Sequence, residues 1–325
     1  MNKQGDLMVK SNNRVLILFT MDVELPTTAH GKVSGPKSNK EGEIRIREYT
    51  QAIGEYGYSP TFFIHPEQGE NQGSFFRKLK ANGACLGLHL HSTKFLKKQY
   101  SCELGGLSEI EQKDTLRMAS DLFQEYFGFR PEIFRPGVFS ANDSTFKVLS
   151  ELGFKGGSVS IPGRIWPERC CVWSGSIPHP HLANKNFRQL EGDLPFVEIP
   201  LSVDYTQELQ LNHQRYWHYR DLRPGQKYMK AGSSEKNHLP LADYKLIFKN
   251  IVNQLVADDP FLKTIVVDTH NDLEYLDTSK DSARQLHAVL ECIKPELEKH
   301  GLVPVNATMD FAIQEFLKES HGVNM

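Results

Sequence analysis

Alternation of short apolar runs with amphipathic segments is the feature that most constrains the fold of this 325-residue chain. β-Branched and aromatic residues dominate the runs, which is typical of strands, and apolar residues recur at helical spacing between them. Repeated strand–helix order gives a parallel sheet, either open or closed into a barrel. The predicted strands are 15–19, 61–64, 85–88, 133–134, 155–160, 196–199, 264–267 and 303–305. The predicted helices are 44–56, 74–81, 108–126, 142–152, 244–256, 282–299 and 310–317.

The regular order of these elements favours an α/β fold closed into a (β/α) barrel, with residues 1–325 as a single domain. A polar stretch over residues 205–241 interrupts the order. It has too few apolar residues for a core of its own. We therefore expect a long, irregular excursion or lid there, rather than a second domain.

Two short polar patches close predicted strands and share one spacing. Asp22 and Glu24 follow the first strand, and His89 and His91 follow the third. Side chains alternate faces along a strand, so residues two apart point the same way. Carboxylates and imidazoles at neighbouring strand ends are suitable ligands for zinc or a similar divalent ion. Each patch alone also fits a simpler interpretation, a solvated strand end for the acids or core histidines for the imidazoles.

Two further polar residues also close predicted strands. Arg135 and His270 follow the strands 133–134 and 264–267. Active sites of parallel α/β folds lie at the carboxyl ends of strands, so these residues are expected at the same end as Asp22 and His89. Arg135 also fits a structural salt bridge, and His270 a partly buried strand cap.

The strand-end residues, taken in order, resemble the polysaccharide deacetylase superfamily, also called carbohydrate esterase family four. The segments that carry the resemblance are TMDVE (20–24), GLHLH (87–91), FRPG (134–137) and VDTH (267–270). They resemble the branch with one residue between the two acids and a Gly-Leu-His-x-His second motif. The resemblance implies a distorted (β/α) barrel that uses a divalent metal to hydrolyse an N-acetyl or related amide group.

The resemblance also implies roles for individual residues: Asp22 as general base, Arg135 as the group that orients it, His270 as general acid, and Glu24, His89 and His91 as ligands of one divalent ion, with Zn²⁺ preferred. The family usually has two histidines four residues apart. Here a second register would begin at His91 and place Phe95 at the second histidine. We favour His89 with His91.

Other polar residues are weaker candidates for a role in the predicted site. Asp268 and Asp272 bracket His270, and either could orient its ring. His65 follows a predicted strand and could line the rim of the site. Glu198 fits a structural carboxylate or a part of the substrate wall better than a second ligand.

The composition of the chain argues against several classes of function. A net charge of −2 with 24% charged residues gives no basic surface for nucleic acid. The N-terminus lacks the apolar stretch of a signal peptide, and no apolar run is long enough to cross a bilayer. The five cysteines do not form a disulfide framework, so we expect buried free thiols and a reducing cytoplasm. The expected partner is a small-molecule or carbohydrate substrate, without nucleic acid or membrane, and the oligomeric state stays open.

The sequence therefore predicts a cytoplasmic, metal-dependent hydrolase that removes an acyl group, acetyl first, from the amide nitrogen of an amino sugar or related small molecule. One alternative is another C–N hydrolase on the same fold, such as allantoinase-like ring opening. A second alternative, kept open by the altered second motif, is a catalytically inactive binding member.

Overall fold

The computed structural model describes residues 13–30, 35–210, 217–225, 227–229 and 236–322. Its strands are β1 (Arg14–Val23), β2 (Pro60–Ile64), β3 (Cys85–Leu90), β4 (Ile133–Pro136), β5 (Gly156–Gly157), β6 (Ile165–Trp166), β7 (Cys171–Val172), β8 (His181–Leu182), β9 (Val197–Glu198), β10 (Val203–Gln210), β11 (Trp217–Asp221), β12 (Lys227–Met229), β13 (Lys236–His238), β14 (Lys263–Val267) and β15 (Val303–Asn306). Its α-helices are α1 (Thr27–His30), α2 (Asn39–Gly54), α3 (Gly69–Ala81), α4 (Glu109–Phe127), α5 (Thr145–Glu151), α6 (Leu241–Asp258), α7 (Asp281–Glu298) and α8 (Met309–Gly322).

The main sheet runs in the order β14-β1-β2-β3-β4-β5-β9-β8, and β15 also pairs with β1. All of these pairs are parallel except the edge pair of β8 with β9. The sheet curls into a half-barrel, which confirms the predicted distorted (β/α) barrel. Within the described residues no backbone ladder joins β8 or β9 to β14. At this opening the backbone N–H of Val266 donates to the Ser202 hydroxyl at 2.9 Å.

Strand β1 pairs with three other strands, more than any other described strand of the sheet. All of its residues from Val15 to Val23 are buried. On one edge it pairs with β14, and on the other it pairs first with β15 and then with β2. Strands buried on both faces require a continuous apolar run, which is what residues 15–19 provide. The buried apolar side chains form one connected cluster around this strand.

Local capping signals set two of the helix starts. Helix α4 begins with a capping box, in which Ser108 and Glu111 each accept a hydrogen bond from the other's backbone N–H. Helix α2 begins at Asn39, five residues before its predicted start. The reason is that the Ser38 hydroxyl caps it by accepting from the backbone N–H of Glu41 at 3.2 Å.

The stretch 205–241 is more regular than predicted. Strands β10 and β11 form an antiparallel pair that begins at Val203, and β12 pairs with β13 in the same manner. The expectation that this stretch is irregular was wrong because it rested on apolar content, whereas paired strands satisfy their backbone hydrogen bonds without a core. The role of the stretch as an excursion or lid stays a prediction. Residues 211–216, 226 and 230–235 of this stretch lie outside the described residues. Nowhere in the part of the chain that the structure describes is a helix both long and apolar enough to span a membrane.

Candidate active site

Buried polar side chains converge where β1, β3, β4 and β14 end. They fall into two adjacent groups. The histidine cluster comprises Glu24, His89, His91, Lys94 and Glu103. The arginine cluster comprises Thr20, Asp22, Arg135 and Asp268.

The histidine cluster brings the three predicted metal ligands together. Glu24 Oε1 lies 2.9 Å from His91 Nε2 and 3.5 Å from His89 Nε2. One ligand atom from each residue lies within 4.8 Å of the other two, and all three residues are buried. Phe95, from the alternative register, packs in the apolar interior against the ring of His65.

The orientation of both imidazole rings fits a divalent ion. His89 Nδ1 lies 3.1 Å from the backbone oxygen of Arg135, which can only accept, so this nitrogen carries the proton. His91 Nδ1 donates in the same way to Glu103 Oε1 at 3.2 Å. His89 Nε2 is buried and has no hydrogen-bond partner in the described part of the chain. The Nε2 atoms of both rings therefore face Glu24, as they do when histidine binds a metal.

Charge in the histidine cluster centres on Glu24. Burial alone would raise the pKa of this carboxyl, but His91 and Lys94 lower it well below its usual value. Lys94 Nζ donates to Glu24 Oε2 at 2.8 Å, which leaves Oε1 directed at the histidines. Burial would lower the pKa of His91, but Glu24 and Glu103 raise it to about 9. A divalent ion that binds between His91 and Glu24 would therefore release a proton.

Gly137 makes room for the ring of His91. A Cβ at residue 137 would lie 2.2 Å from His91 Nδ1, a distance that no side chain tolerates. The next two residues, Val138 and Phe139, have positive φ values of 49° and 58°. Strained backbone of this kind is held by its surroundings and is often found at functional sites. The FRPG segment thus supplies both the arginine and the space for one candidate ligand.

Arg135 organises the arginine cluster. Its Nη1 donates to Asp22 Oδ1 at 3.0 Å and to Asp268 Oδ1 at 2.5 Å. The guanidinium is fully buried and lies 4.3 Å from the ring centroid of Phe63 and 5.4 Å from that of Phe139. Aromatic faces and two carboxylates together compensate for the buried positive charge.

The two aspartates around Arg135 differ in proton affinity. Burial would raise the pKa of Asp22, but His89, Arg135 and His270 together lower it below its usual value. Burial raises the pKa of Asp268, and the negative charge of Asp22 adds to this, although Arg135 opposes it. Asp268 therefore takes up a proton first and Asp22 stays ionised, which is the state that a general base requires.

His270 lies immediately beside Asp22. Strand β14 is the direct neighbour of β1, the two residues form a bridge pair, and the backbone N–H of Asp22 donates to the Thr269 carbonyl at 2.8 Å. Asp22 and His270, the predicted base and acid, therefore stand at the ends of adjacent strands. Within the described residues Asp268 makes no hydrogen bond to the His270 ring, because its Oδ1 accepts from Arg135 and Thr20 and its Oδ2 has no hydrogen-bond partner.

Two of the weaker candidates, His65 and Glu198, lie in the interior of the protein. His65 is completely buried rather than at the rim, and burial lowers its pKa well below the usual value. Glu198 accepts hydrogen bonds from the backbone N–H groups of Val159 and Ser160. It thereby binds the backbone just after β5, which spans only two residues where a longer strand was predicted.

Sequence reasoning missed three charged residues of the region. Lys94 and Glu103 lie on the loop after β3, where no regular spacing marks them as partners of Glu24 and His91. Arg223, from the segment after β11, is largely buried and pairs with Asp221 at 2.5 Å. Asp268 and Asp22 add to the rise in the pKa of Arg223, which places its charge near the arginine cluster. Only the fold brings these residues to the site.

Comparison with known proteins agrees with the fold. The family model for polysaccharide deacetylase matches residues 43–157, a range that contains His89, His91 and Arg135 but neither Asp22 nor His270. A protein described as a polysaccharide deacetylase from Mycobacterium smegmatis superposes with a TM-score of 0.56 at 16% identity, covering 91% of this chain and 94% of that one. The Puue allantoinase also gives a TM-score of 0.56, at 13% identity with 93% and 90% coverage. No curated protein matches the sequence significantly.

Proposed function

We propose that this chain, which belongs to the polysaccharide deacetylase superfamily, is a metal-dependent hydrolase that removes an acyl group, acetyl first, from the amide nitrogen of an amino sugar or related small molecule. One observation carries the proposal. Three buried atoms with the chemistry of zinc ligands, on Glu24, His89 and His91, converge beside an aspartate that is held ionised.

The ion would be held by Glu24 Oε1, His89 Nε2 and His91 Nε2. Three protein ligands of this kind are typical of catalytic zinc sites, which keep a position open for water and substrate. When bound, such an ion polarises the amide carbonyl and lowers the pKa of a water molecule to about 7. Glu103 and the carbonyl of Arg135 would fix the two rings for this task.

Asp22 would accept the proton of the attacking water. Arg135 binds Oδ1 of this carboxylate, whereas Oδ2 lies on the side of the histidine cluster, 3.9 Å from His89 Nδ1. Oδ2 is therefore the oxygen positioned to take the proton. The fixed charge of Arg135 keeps the carboxylate ionised and prevents its rotation away from the site.

His270 would donate the proton that the departing amine needs. It is less buried than Asp22 and sits at the end of the neighbouring strand, so its ring can reach a substrate group at the mouth of the site. Base and acid on adjacent strands suit a small scissile group that lies across the ends of both.

Ring opening of a cyclic amide is the second candidate function. It is favoured by the allantoinase fold match, whose TM-score equals that of the deacetylase match. Both reactions break a C–N bond of an amide, and the residues described would serve either. For either reaction we propose a small, soluble substrate in the cytoplasm.

Metal-stripped protein reconstituted with zinc tests the proposal. We expect acetate release from at least one compound in a panel of N-acetylated sugars, with no release by the metal-free protein. Asp22→Asn should bind zinc and fail to turn over, whereas Asp193→Asn, at an exposed acid outside both clusters, should behave as wild type. Hydrolysis of allantoin and related cyclic amides instead would select the second function. Zinc binding without hydrolysis of either panel would indicate a binding protein.

A further inference from the structure

Two cysteines from separate loops lie side by side next to the histidine cluster. The sulfur atoms of Cys102 and Cys170 are both 2.9 Å from the position that a Cβ on Gly106 would occupy, so at most twice that distance separates them. Both residues are partly exposed, whereas Cys85 and Cys171 are buried. The expectation that all five thiols are buried is thus wrong for this pair.

The two loops are held together independently of the sulfur atoms. The backbone N–H of Gly105 donates to the Ser140 hydroxyl at 3.0 Å, and this hydroxyl donates to the Cys170 carbonyl at 3.1 Å. Cys170 itself has a left-handed backbone with φ of 50°, which ends the turn Pro167–Arg169. Because the backbones already lie in contact, side-chain rotation and small loop shifts can bring the sulfurs to the roughly 2.05 Å of a disulfide bond.

We propose that Cys102 and Cys170 are a modification site that forms a reversible disulfide by exchange with a small-molecule disulfide such as oxidised glutathione. One cysteine thiolate attacks the reagent, forms a mixed disulfide and releases one glutathione. The second cysteine then attacks the mixed disulfide and releases the other glutathione. The two protein thiols are oxidised to one disulfide, the reagent is reduced to two thiols, and the two protons end on the glutathione products.

The position of this disulfide connects it with the candidate metal site. Cys102 directly precedes Glu103, which orients His91, and Cys170 directly follows Arg169, whose Nη1 lies 3.9 Å from Glu103 Oε1. A bond between the cysteines fastens both segments that face Glu103. It also closes a long loop of chain, so oxidised protein should unfold at a higher temperature than reduced protein.

The test is incubation of the full chain with oxidised glutathione. In wild type we expect loss of two titratable thiols, a mass decrease of two hydrogens, a peptide that links Cys102 to Cys170, and a raised melting temperature, all reversed by dithiothreitol. Cys102→Ser and Cys170→Ser should instead keep one bound glutathione and show no rise in melting temperature. Cys292→Ser removes a partly exposed thiol elsewhere and should cross-link as wild type does.

A glycine variant adds a test that retains both thiols. Gly106→Ala places a methyl group between the two sulfurs and should prevent the cross-link, whereas Gly54→Ala, where the added carbon meets open space, should not. The proposal is overturned if wild type acquires only glutathione adducts, or if the linked peptide joins a different pair of cysteines. Both of these outcomes are measured on wild type, so the proposal stays testable even if a variant fails to fold.

Discussion

The histidine cluster and the arginine cluster lie side by side and hold their carboxylates in different ways. Glu24 is neutralised by Lys94 and by His91, whose ring can give up a proton. Asp22 is neutralised by Arg135, whose charge is permanent. The first arrangement can exchange a proton for a metal ion, while the second keeps a carboxylate ionised in one orientation. Two buried carboxylates on one strand end are thus adapted to different tasks by their cationic partners.

Asp22→Asn tests the division of tasks most strongly. The amide keeps the shape of the side chain but cannot accept a proton from water. We expect turnover of a responsive N-acetylated sugar to fall by about 10²–10⁴-fold, the usual contribution of a general base. Zinc content, measured on the same sample, should not change. Loss of the metal in this variant would make Asp22 a ligand and remove the distinction between the clusters.

Arg135→Met tests whether the arginine cluster depends on its permanent cation. The variant leaves Asp22 and Asp268 without their buried partner, and breaking a buried pair costs about 3–5 kcal/mol in the free energy of unfolding. Urea unfolding followed by circular dichroism measures this loss. Arg117→Met, which removes an exposed ion pair, should stay within about 0.5 kcal/mol of wild type. Equal losses of stability in the two variants would show that the arginine cluster does not depend on the charge of Arg135.

Glu198 extends the comparison to a buried carboxylate with no ion-pair partner among the described residues. Burial raises its pKa from 4.5 to about 7, so the folded state binds the proton more tightly than the unfolded state. Its contribution to stability is therefore complete below pH 4.5 and is lost as the pH rises to about 7. Wild type should lose about 3 kcal/mol over this interval relative to Glu198→Gln, which does not titrate. A pH-independent difference in urea unfolding would show that folding does not raise the pKa of this carboxyl.

Glu103→Gln probes the support of the histidine cluster and should have the smallest effect. The amide can still orient the His91 ring but lacks the charge that strengthens its basicity. Replacing such an outer partner typically weakens metal binding by about 10–100-fold. Zinc competition with a fluorescent chelator measures the change, and Glu109→Gln, an exposed acid, serves as the control. Unchanged zinc affinity would mean that Glu103 does not act through His91.

Much of the fold follows from local sequence signals. The apolar runs locate the parallel strands because a strand buried on both faces needs a continuous apolar segment. Ser108 and Glu111 define a helix start because their hydrogen bonds are local. The strand pairs within 205–241 escaped prediction, because this polar stretch has no continuous apolar run like those that mark the buried strands.

The sequence by itself determined which polar residues stand at strand ends, because spacing along one strand decides which side chains share a face. Only the tertiary structure decided which strands are neighbours. It placed His270 beside Asp22, brought Lys94 and Glu103 to the candidate metal ligands, and made Gly137 the space for His91. These contacts join residues whose distance along the chain carries no information about their distance in space. They depend on the order of strands in the sheet, which is set by packing of the whole chain.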